Sequence, residues 1–247
     1  MPRAFHHVLA LVAVTLAAIP LGAACGGDDD GGASEVDAGG GGIDAAADDC
    51  DQAEQLPGDY RPVAIVSTGD VTPTADGDVT TAVIDATAGG LPNAADNPYI
   101  YVDLASGAKV DIDDVDALSS SEWDLAFKRS SIRSNGGDSG PGMVAVAVVA
   151  AASLDEVTAA PADGEFAIDD WTDESCQLVA LPFQEPNTAF GEWYDYDLGS
   201  HVVTPKPEVH VIRSRSGDLF KLQLESYYGD EGDPTLSAVY RVSWAPL

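Results

Sequence analysis

The sequence predicts a mainly β protein with a single all-β, sandwich-like domain and one or two short helices, preceded by a disordered acidic tether. Short segments rich in Val, Ile, Thr and aromatic residues recur from residue 61 onwards. Several of them alternate apolar and polar side chains, as half-buried strands do. Clusters of Gly, Pro and Asn separate the segments. No internal repeat of fixed period occurs, which argues against a propeller or a solenoid.

The first half of the predicted domain, which spans residues 59–247, contains four short strand-like segments. They lie at 63–67, 79–86, 99–104 and 109–112. The last two flank a short Ala-Ser-Gly-Ala stretch, and this arrangement predicts a hairpin.

The segment 122–142 has the most distinctive pattern. Apolar residues alternate at Trp123, Leu125 and Phe127, which predicts a half-buried strand with these three side chains on one face. Four glycines, at 136, 137, 140 and 142, then make residues 135–142 a loop of special backbone shape. The segment therefore predicts a strand that leads into a shaped loop.

Beyond this loop the chain continues as strands. The predicted segments lie at 143–152, 208–214, 219–227 and 236–244, and the middle two form a hairpin. After the first of them, Ser153 and Glu156 have the spacing of a capping box and predict a short helix that Pro161 limits.

The charge of the chain restricts its partners. With 42 acidic and 11 basic residues, the formal net charge is −31. Such a chain repels phosphates, which argues against nucleic acids and makes anionic membrane surfaces poor partners. Because basic residues are so few, Lys128, Arg129 and Arg133 are expected to pair with carboxylates.

The amino terminus predicts a lipoprotein. Arg3 precedes an apolar run at residues 8–24, and small residues lead directly to Cys25. This is the pattern of a secretory signal peptide, residues 1–24, that ends at a lipobox with Cys25 as the lipidation site. Gly26 favours sorting to the bacterial outer membrane, and the acidic run that follows resembles surface-export signals. The protein is thus expected to contact the membrane through its lipid anchor only.

Residues 25–58 predict a lipidated, disordered tether rich in Gly, Asp and Ala. Between Asp28 and Asp59 there are eleven acidic residues and no basic ones, so the segment repels itself and has little apolar surface to bury. Cys50 at its end and Cys176 form an even pair in an exported chain, which predicts a disulfide. Neither cysteine belongs to a zinc-binding pattern.

Residues 83–244 resemble the HmuY-like haem-binding lipoproteins. The resemblance is carried by Trp-Asp-Leu-Ala-Phe at 123–127, Arg129, Ile132-Arg133, Asn135-Gly136-Gly137, Ser139-Gly140, Val211-Ile212-Arg213, Gly217, Lys221-Leu222 and Ser226-Tyr227-Tyr228. It implies a β-rich domain tethered to a cell surface, some of whose members capture haem, with an outer-membrane receptor as a further partner. For the matching residues themselves, the favoured interpretation is architectural: a core strand and a glycine turn that the fold needs.

The sequence does not predict an enzyme. Gly-x-Ser-x-Gly, the P-loop, the dinucleotide-binding glycine pattern and His-Glu-x-x-His are all absent, and Asp138-Ser139-Gly140 is only a superficial likeness to a protease motif. Two functions of different classes remain. One is haem capture for iron acquisition, and the other is a cofactor-free structural or interaction module of the cell surface with the same fold.

Candidate haem ligands follow from the resemblance and from the donor types that iron accepts, with no metal other than haem iron expected. His201 lies in a loop beside Trp193, Tyr194 and Tyr196, which are the candidate walls of a pocket for haem or a similar flat apolar ligand. His210 is a further candidate, although its place inside a strand favours packing. A third candidate, Met143, follows the glycine loop.

Overall fold

A computed structural model describes residues 50, 56, 58–88, 90, 92, 96–181, 185–229 and 232–247. The predicted signal peptide at 1–24, the lipidation site Cys25 and most of the predicted tether at 25–58 lie outside these residues. The described residues form a mainly β structure, which confirms the predicted fold class. None of the described helices has the length and apolar character needed to cross a membrane.

The larger sheet has six antiparallel strands in the order β1-β2-β12-β11-β10-β7. Their bounds are Val71–Asp76 for β1, Val79–Asp85 for β2, Ala145–Val149 for β7, Val209–Arg213 for β10, Leu219–Ser226 for β11 and Val239–Pro246 for β12. Sequence neighbours β1 and β2, and β10 and β11, pair as hairpins. The last strand of the chain, β12, joins these two hairpins by pairing with β2 and β11.

The smaller sheet has four strands in the order β4-β3-β5-β6, and a separate two-stranded hairpin is formed by β8 and β9. Their bounds are Ile100–Asp103 for β3, Ala108–Val110 for β4, Leu125–Lys128 for β5, Ser131–Ser134 for β6, Tyr194–Asp197 for β8 and Val202–Pro205 for β9. One short helix, α1, covers Asp114–Ala117 and begins at Asp113, whose carboxylate accepts two backbone N–H groups of the first turn. Single 3₁₀ turns lie at Gly58–Tyr60, Leu154–Glu156, Asp163–Glu165 and Pro234–Leu236.

The two sheets share a core, here called the inter-sheet cluster. Alternate residues of the strands supply it, as a period of two requires. Ile100 and Leu125 come from the smaller sheet, and Leu222, Tyr240 and Trp244 come from the larger one. Since aromatic and aliphatic side chains of both sheets are fully buried here, this cluster holds the sandwich together.

The outer face of the smaller sheet is covered as well, by a second group here called the Trp171 cluster. It contains Tyr99, Tyr101, Trp123, Ala126 and Trp171, together with Leu56, Tyr60 and Ala117. The prediction that the 123–128 strand is half-buried, with Trp123 and Leu125 on one face, is therefore wrong. All four residues of β5 are buried, and Trp123 lies in the Trp171 cluster. The covering residues come from distant parts of the chain, which local alternation does not reveal.

The predicted disulfide between Cys50 and Cys176 is present, with 5.4 Å between the two Cα atoms. It closes a loop with a sequence separation of 126 residues. For a loop of that size, chain entropy assigns roughly 4–5 kcal/mol of stabilisation. Leu56, near the end of the predicted tether, is buried in the Trp171 cluster, so the disulfide and this apolar contact both attach the amino-terminal side of the domain to its core.

Most predicted strands correspond to observed ones, although several regions differ, among them the following three. The segment 63–67 contributes only an isolated bridge between Val66 and Asp113. The predicted helix after Ser153 is a single 3₁₀ turn, in which the Glu156 carboxylate accepts the backbone N–H of Ala152 at 3.2 Å. Strand β1 was not predicted, because it is mostly exposed and contains Pro73, both of which weaken the apolar pattern of a strand.

Candidate functional site

The β8–β9 hairpin ends in a turn with well-defined hydrogen bonds. The Asp197 carboxylate accepts the backbone N–H groups of Gly199 at 2.9 Å and Ser200 at 2.6 Å. These bonds hold the pKa of this exposed carboxyl below its usual value. The backbone N–H of His201 donates to the Asp197 carbonyl at 2.8 Å, and His201 has a φ of 60°. These hydrogen bonds therefore fix the backbone conformation of the tip, in which His201 is exposed to solvent.

The imidazole of His201 is exposed and held by one neighbour. The Tyr196 hydroxyl lies 2.7 Å from Nδ1 of His201, and the two ring centroids are 6.0 Å apart. Because this contact occupies Nδ1, Nε2 is the nitrogen that remains for a ligand. When Nδ1–H donates to the Tyr196 oxygen, Nε2 carries the lone pair that a metal ion needs.

Apolar surface also lies at the hairpin tip. Leu198, which precedes the turn glycine, is 75% exposed. Tyr194 and Tyr196 are half-buried and pack against the inter-sheet cluster. Sequence reasoning missed Leu198, because a single leucine in a loop carries no pattern by itself.

A cleft of about 200 Å³ lies at the base of the hairpin. It is lined by Leu181, Glu185, Glu192, Tyr194, Asp195, Tyr196 and Lys206. Three carboxylates and one ammonium group make this cleft polar. Its volume is below the roughly 300 Å³ that small-molecule pockets usually reach. The cleft alone is thus a poor match for a porphyrin, whose face is large and apolar.

Glu185 connects this cleft with the interior. Its carboxylate accepts hydrogen bonds from the hydroxyl groups of Ser130 and, at 3.2 Å, Tyr194. Burial raises the pKa of this carboxyl, and burial together with the nearby Glu185 charge raises the pKa of Tyr194 to about 12. The sequence did not indicate Glu185 as a site residue, because the chain contains so many carboxylates that no single one stands out.

Trp193, a predicted pocket wall, lies in the core beneath the hairpin. Its side chain is buried, and its indole N–H donates to the Ser130 carbonyl at 2.8 Å. The ring contacts Tyr194 and Tyr240, with centroids 4.8 and 5.5 Å away. Trp193 therefore anchors the hairpin to the sandwich, whereas Tyr196 reaches the surface near His201.

His210, the second candidate histidine, is 1% exposed and stacks on Phe190 at 4.6 Å between ring centroids. Neither ring nitrogen has a hydrogen-bond partner among the described residues, and the Glu208 carboxylate is 3.6 Å from Nε2. Burial lowers the pKa of His210 to about 3. The structure thus places it as a neutral packing residue in β10, and it does not bring it together with His201.

Met143, the third candidate ligand, is 78% exposed at the end of the glycine loop and has a φ of 59°. Its thioether is accessible to a ligand from solvent. Within the part of the chain that the structure describes, no three His, Cys, Asp or Glu side chains are grouped so as to hold a metal ion. A site for haem iron would therefore use one or two axial donors and not a metal cage.

The glycine loop itself is built around buried polar side chains. The Asn135 amide donates to the carbonyls of Ser120 and Trp123 at 2.9 and 2.8 Å, and its oxygen accepts the Gly142 N–H at 3.0 Å. Asp169 accepts the backbone N–H of Ser134 at 2.9 Å. These contacts support the architectural interpretation of the residues that carry the family resemblance.

Comparison with known proteins places this chain in a family. The family model described as HmuY protein matches residues 95–238. No curated protein matches the chain significantly.

Solved structures of similar proteins include three bacterial ones. A putative lipoprotein from Bacteroides fragilis is 18% identical, with 70% of this chain and 92% of that chain covered and a TM-score of 0.47. A putative HmuY-like heme-binding protein from Bacteroides vulgatus is 17% identical, with 71% and 96% covered and a TM-score of 0.47. The apo HmuY analog of Tannerella forsythia is 14% identical, with 72% and 96% covered and a TM-score of 0.44.

Proposed function

Because this chain belongs to the HmuY family, we propose that it is a cell-envelope lipoprotein whose β domain binds haem, or a similar flat apolar metal complex, at the tip of the β8–β9 hairpin. The observation that carries the proposal is the exposed imidazole of His201, whose Nδ1 is 2.7 Å from the Tyr196 hydroxyl. Binding, and not catalysis, is the proposed activity, and iron acquisition is its purpose.

The residues at the tip fit two requirements of haem. If bound, haem would supply an iron atom that imidazole or thioether donors can ligate. His201 offers Nε2, while the contact between the Tyr196 hydroxyl and Nδ1 fixes the ring orientation. Leu198 offers apolar surface that a porphyrin face would remove from water. Met143 is an accessible second donor, whereas the burial of His210 and Trp193 excludes both from direct contact with a surface ligand.

The proposed cellular location of the domain rests on the predicted signal peptide and lipobox at the amino terminus. Residues 1–24 act as the signal peptide, Cys25 carries the lipid, and the tether ends before Cys50, because Cys50 is bonded to Cys176 and Leu56 is buried in the Trp171 cluster. The net charge of −31 of the full chain disfavours contact with anionic surfaces, so the lipid is its proposed membrane contact. We assign it to the outer membrane with the domain at the cell surface, where a receptor could accept the bound haem.

A cofactor-free interaction module is the second candidate function. The observation in its favour is the cleft at the base of the hairpin, which has a volume of only about 200 Å³ and is lined mainly by polar residues. A domain that binds no porphyrin needs no larger apolar cavity.

Haemin titration of the mature chain, with Cys25→Ser to prevent lipidation, tests the proposal. We expect a saturable shift of the Soret band, and at least a tenfold loss of affinity in His201→Ala, because axial ligation is lost. Thr204→Ala, an exposed change in the same hairpin, is the matched control and should bind like the parent. Absence of any saturable spectral change would favour the cofactor-free module. Parent-like binding by His201→Ala would overturn the ligand assignment while leaving haem binding in place.

A further inference from the structure

The glycine loop begins with the one Asn-Gly pair of the sequence, Asn135-Gly136. The other asparagines precede alanine, proline and threonine. Asparagine is a heat-labile residue, since its side-chain amide can be lost to attack by the backbone nitrogen of the next residue. Glycine at that next position offers the least steric hindrance, because it has no side chain. In the unfolded chain, Asn135 is therefore the asparagine most prone to deamidation.

The reaction needs water and freedom of movement at both residues. The backbone nitrogen of Gly136 loses its proton and attacks Cγ of Asn135. A new N–Cγ bond closes a cyclic succinimide, the Cγ–Nδ2 bond breaks, and Nδ2 takes up the proton and leaves as ammonia. Water then opens the ring. Addition of water at Cγ gives aspartate, and addition at the backbone carbonyl carbon gives isoaspartate, in which the main chain runs through Cγ.

The fold holds the amide that would be attacked. The Asn135 side chain is 0% exposed. Its Nδ2 donates to the carbonyls of Ser120 and Trp123 at 2.9 and 2.8 Å, while its Oδ1 accepts the Gly142 N–H at 3.0 Å. Since every polar atom of the amide is engaged and water is excluded, the side chain is fixed in the native state.

The attacking nitrogen is held as well. The Gly136 N–H donates to the Ser134 carbonyl at 2.7 Å. A Cβ atom at Gly136 would lie 2.1 Å from the Val144 carbonyl oxygen, so the fold requires glycine at this position. It also requires an amide at Asn135, because only a side chain with N–H donors satisfies two buried carbonyls. The labile pair is thus the pair that this loop needs.

Neither product of deamidation fits the native loop. Aspartate at position 135 has no N–H to donate, and its carboxylate would face the carbonyl oxygens of Ser120 and Trp123. Burial of a charge and of two unpaired acceptors is costly. Isoaspartate would lengthen the main chain before Gly136, which already lies against the Val144 backbone. A deamidated chain therefore cannot rebuild the loop.

We propose that Asn135 is a modification site that reacts only in the unfolded chain, and that its deamidation removes the ability of the chain to refold. The native protein deamidates only through the small fraction of molecules in which the loop is open. Each unfolding event is reversible as long as Asn135 is intact. The time that a chain spends unfolded therefore decides whether it can return to the native state.

Peptide mass mapping of the mature chain, with Cys25→Ser, tests the first half of the proposal. The protein is kept at mildly alkaline pH either in native buffer or in guanidinium chloride. Conversion of Asn135 to aspartate or isoaspartate should be about a hundredfold or more slower in native buffer, because it is limited by the open fraction. Equal rates in the two samples would overturn the proposal.

Refolding from guanidinium chloride tests the second half. After increasing times in denaturant, the yield of native monomer should fall at the rate at which Asn135 is converted. The refolded fraction should contain only intact Asn135, and the converted chains should be in the fraction that does not refold. The same times in denaturant at mildly acidic pH, where loss of the Gly136 proton is suppressed, should leave the yield unchanged. Converted chains in equal proportion in both fractions would overturn the proposal.

Two variants separate this site from a general effect of added charge. Asn135→Asp, the aspartate product made directly, should give no native monomer on refolding. Asn187→Asp is the matched control, since the Asn187 amide donates to one carbonyl, that of Asp170 at 3.1 Å, in an exposed contact. It should refold like the parent. A native Asn135→Asp protein with the unfolding midpoint of the parent would contradict the proposal.

Discussion

The glycine loop at 135–142 and the tip of the β8–β9 hairpin are both polar turns, yet they use hydrogen bonds for opposite purposes. In the loop, the buried side chain of Asn135 bonds to the backbone of Ser120, Trp123 and Gly142. At the tip, Asp197 bonds to its own turn, and the neighbouring His201 remains exposed. The first arrangement fixes the fold, while the second presents a side chain to a ligand.

This difference shows where the family resemblance and the candidate function lie. Thirteen of the 22 residues that carry the resemblance lie in the loop or in the segment 123–133 that leads into it, and the others lie at 211–228. The candidate ligand His201 lies outside those residues. A chain can therefore keep this fold with or without a ligand at the hairpin, because the two regions do not share their hydrogen bonds.

Gly136→Ala should have the largest effect, and it tests the structural role of the loop. A Cβ atom at Gly136 would lie 2.1 Å from the Val144 carbonyl oxygen and 3.2 Å from the Val144 nitrogen. Because backbone atoms must shift to relieve this clash, we expect a loss of about 3 kcal/mol or more in the free energy of unfolding. Urea unfolding measures it.

Gly164→Ala serves as the control for the loop variant, since a Cβ atom there meets nothing within 4 Å. The protein that remains folded in the Gly136→Ala sample should still bind haemin like the parent. An unchanged unfolding midpoint for Gly136→Ala would contradict the structural role of the loop.

His210→Leu should have the next largest effect, and only at acidic pH. The folded-state pKa of His210 is lowered to about 3, while the unfolded value is about 6.5. Above pH 6.5 the residue is neutral in both states. As the pH falls from 6.5 towards 3, the unfolded chain binds a proton that the folded chain does not, so stability is lost.

Relative to His210→Leu, the parent should therefore lose about 2–3 kcal/mol of unfolding free energy between pH 6.5 and 4.5. Because the parent and His210→Leu contain the same buried carboxyls, the difference between their unfolding free energies cancels the opposite pH dependence that these carboxyls contribute. Burial raises the pKa of Asp169 to about 6, so that group favours the folded state increasingly as the pH falls through this value. Parallel stability curves for parent and variant across this pH range would show that His210 is not buried as a neutral side chain.

Tyr196→Phe should have the smallest effect and should be confined to the hairpin. It removes the hydroxyl that lies 2.7 Å from Nδ1 of His201 and leaves the ring in place. Loss of one such hydrogen bond costs about 1 kcal/mol, so haemin affinity should fall several-fold with the unfolding midpoint unchanged. Nitrogen-15 NMR of His201 in the apo protein should show a loss of the Nδ1–H tautomer. An unchanged tautomer ratio would contradict the positioning role of Tyr196 whether or not haem binds.

Local patterns allowed much of the fold to be predicted. Hairpins β3–β4 and β10–β11 follow from alternation and from turn residues between the strands, and both are observed. Strands β8 and β9 were missed: Tyr and Asp alternate at residues 194–197 and their burial alternates as well, but the pattern covers only four residues and its less polar positions are tyrosines. At the site, the sequence indicated His201 and Tyr196 as neighbours in the chain, whereas their hydrogen bond depends on the turn between them.

The sequence by itself determined the all-β class, the Cys50–Cys176 pairing and the family, since these depend on residue type, spacing and local periodicity. Only the tertiary structure separated His201 from His210 and moved Trp193 from the predicted pocket into the core. It also placed Arg133 between Tyr99 and Trp171. The physical reason is that burial depends on which distant segments cover a residue, and this information is not contained in the residue's own neighbours along the chain.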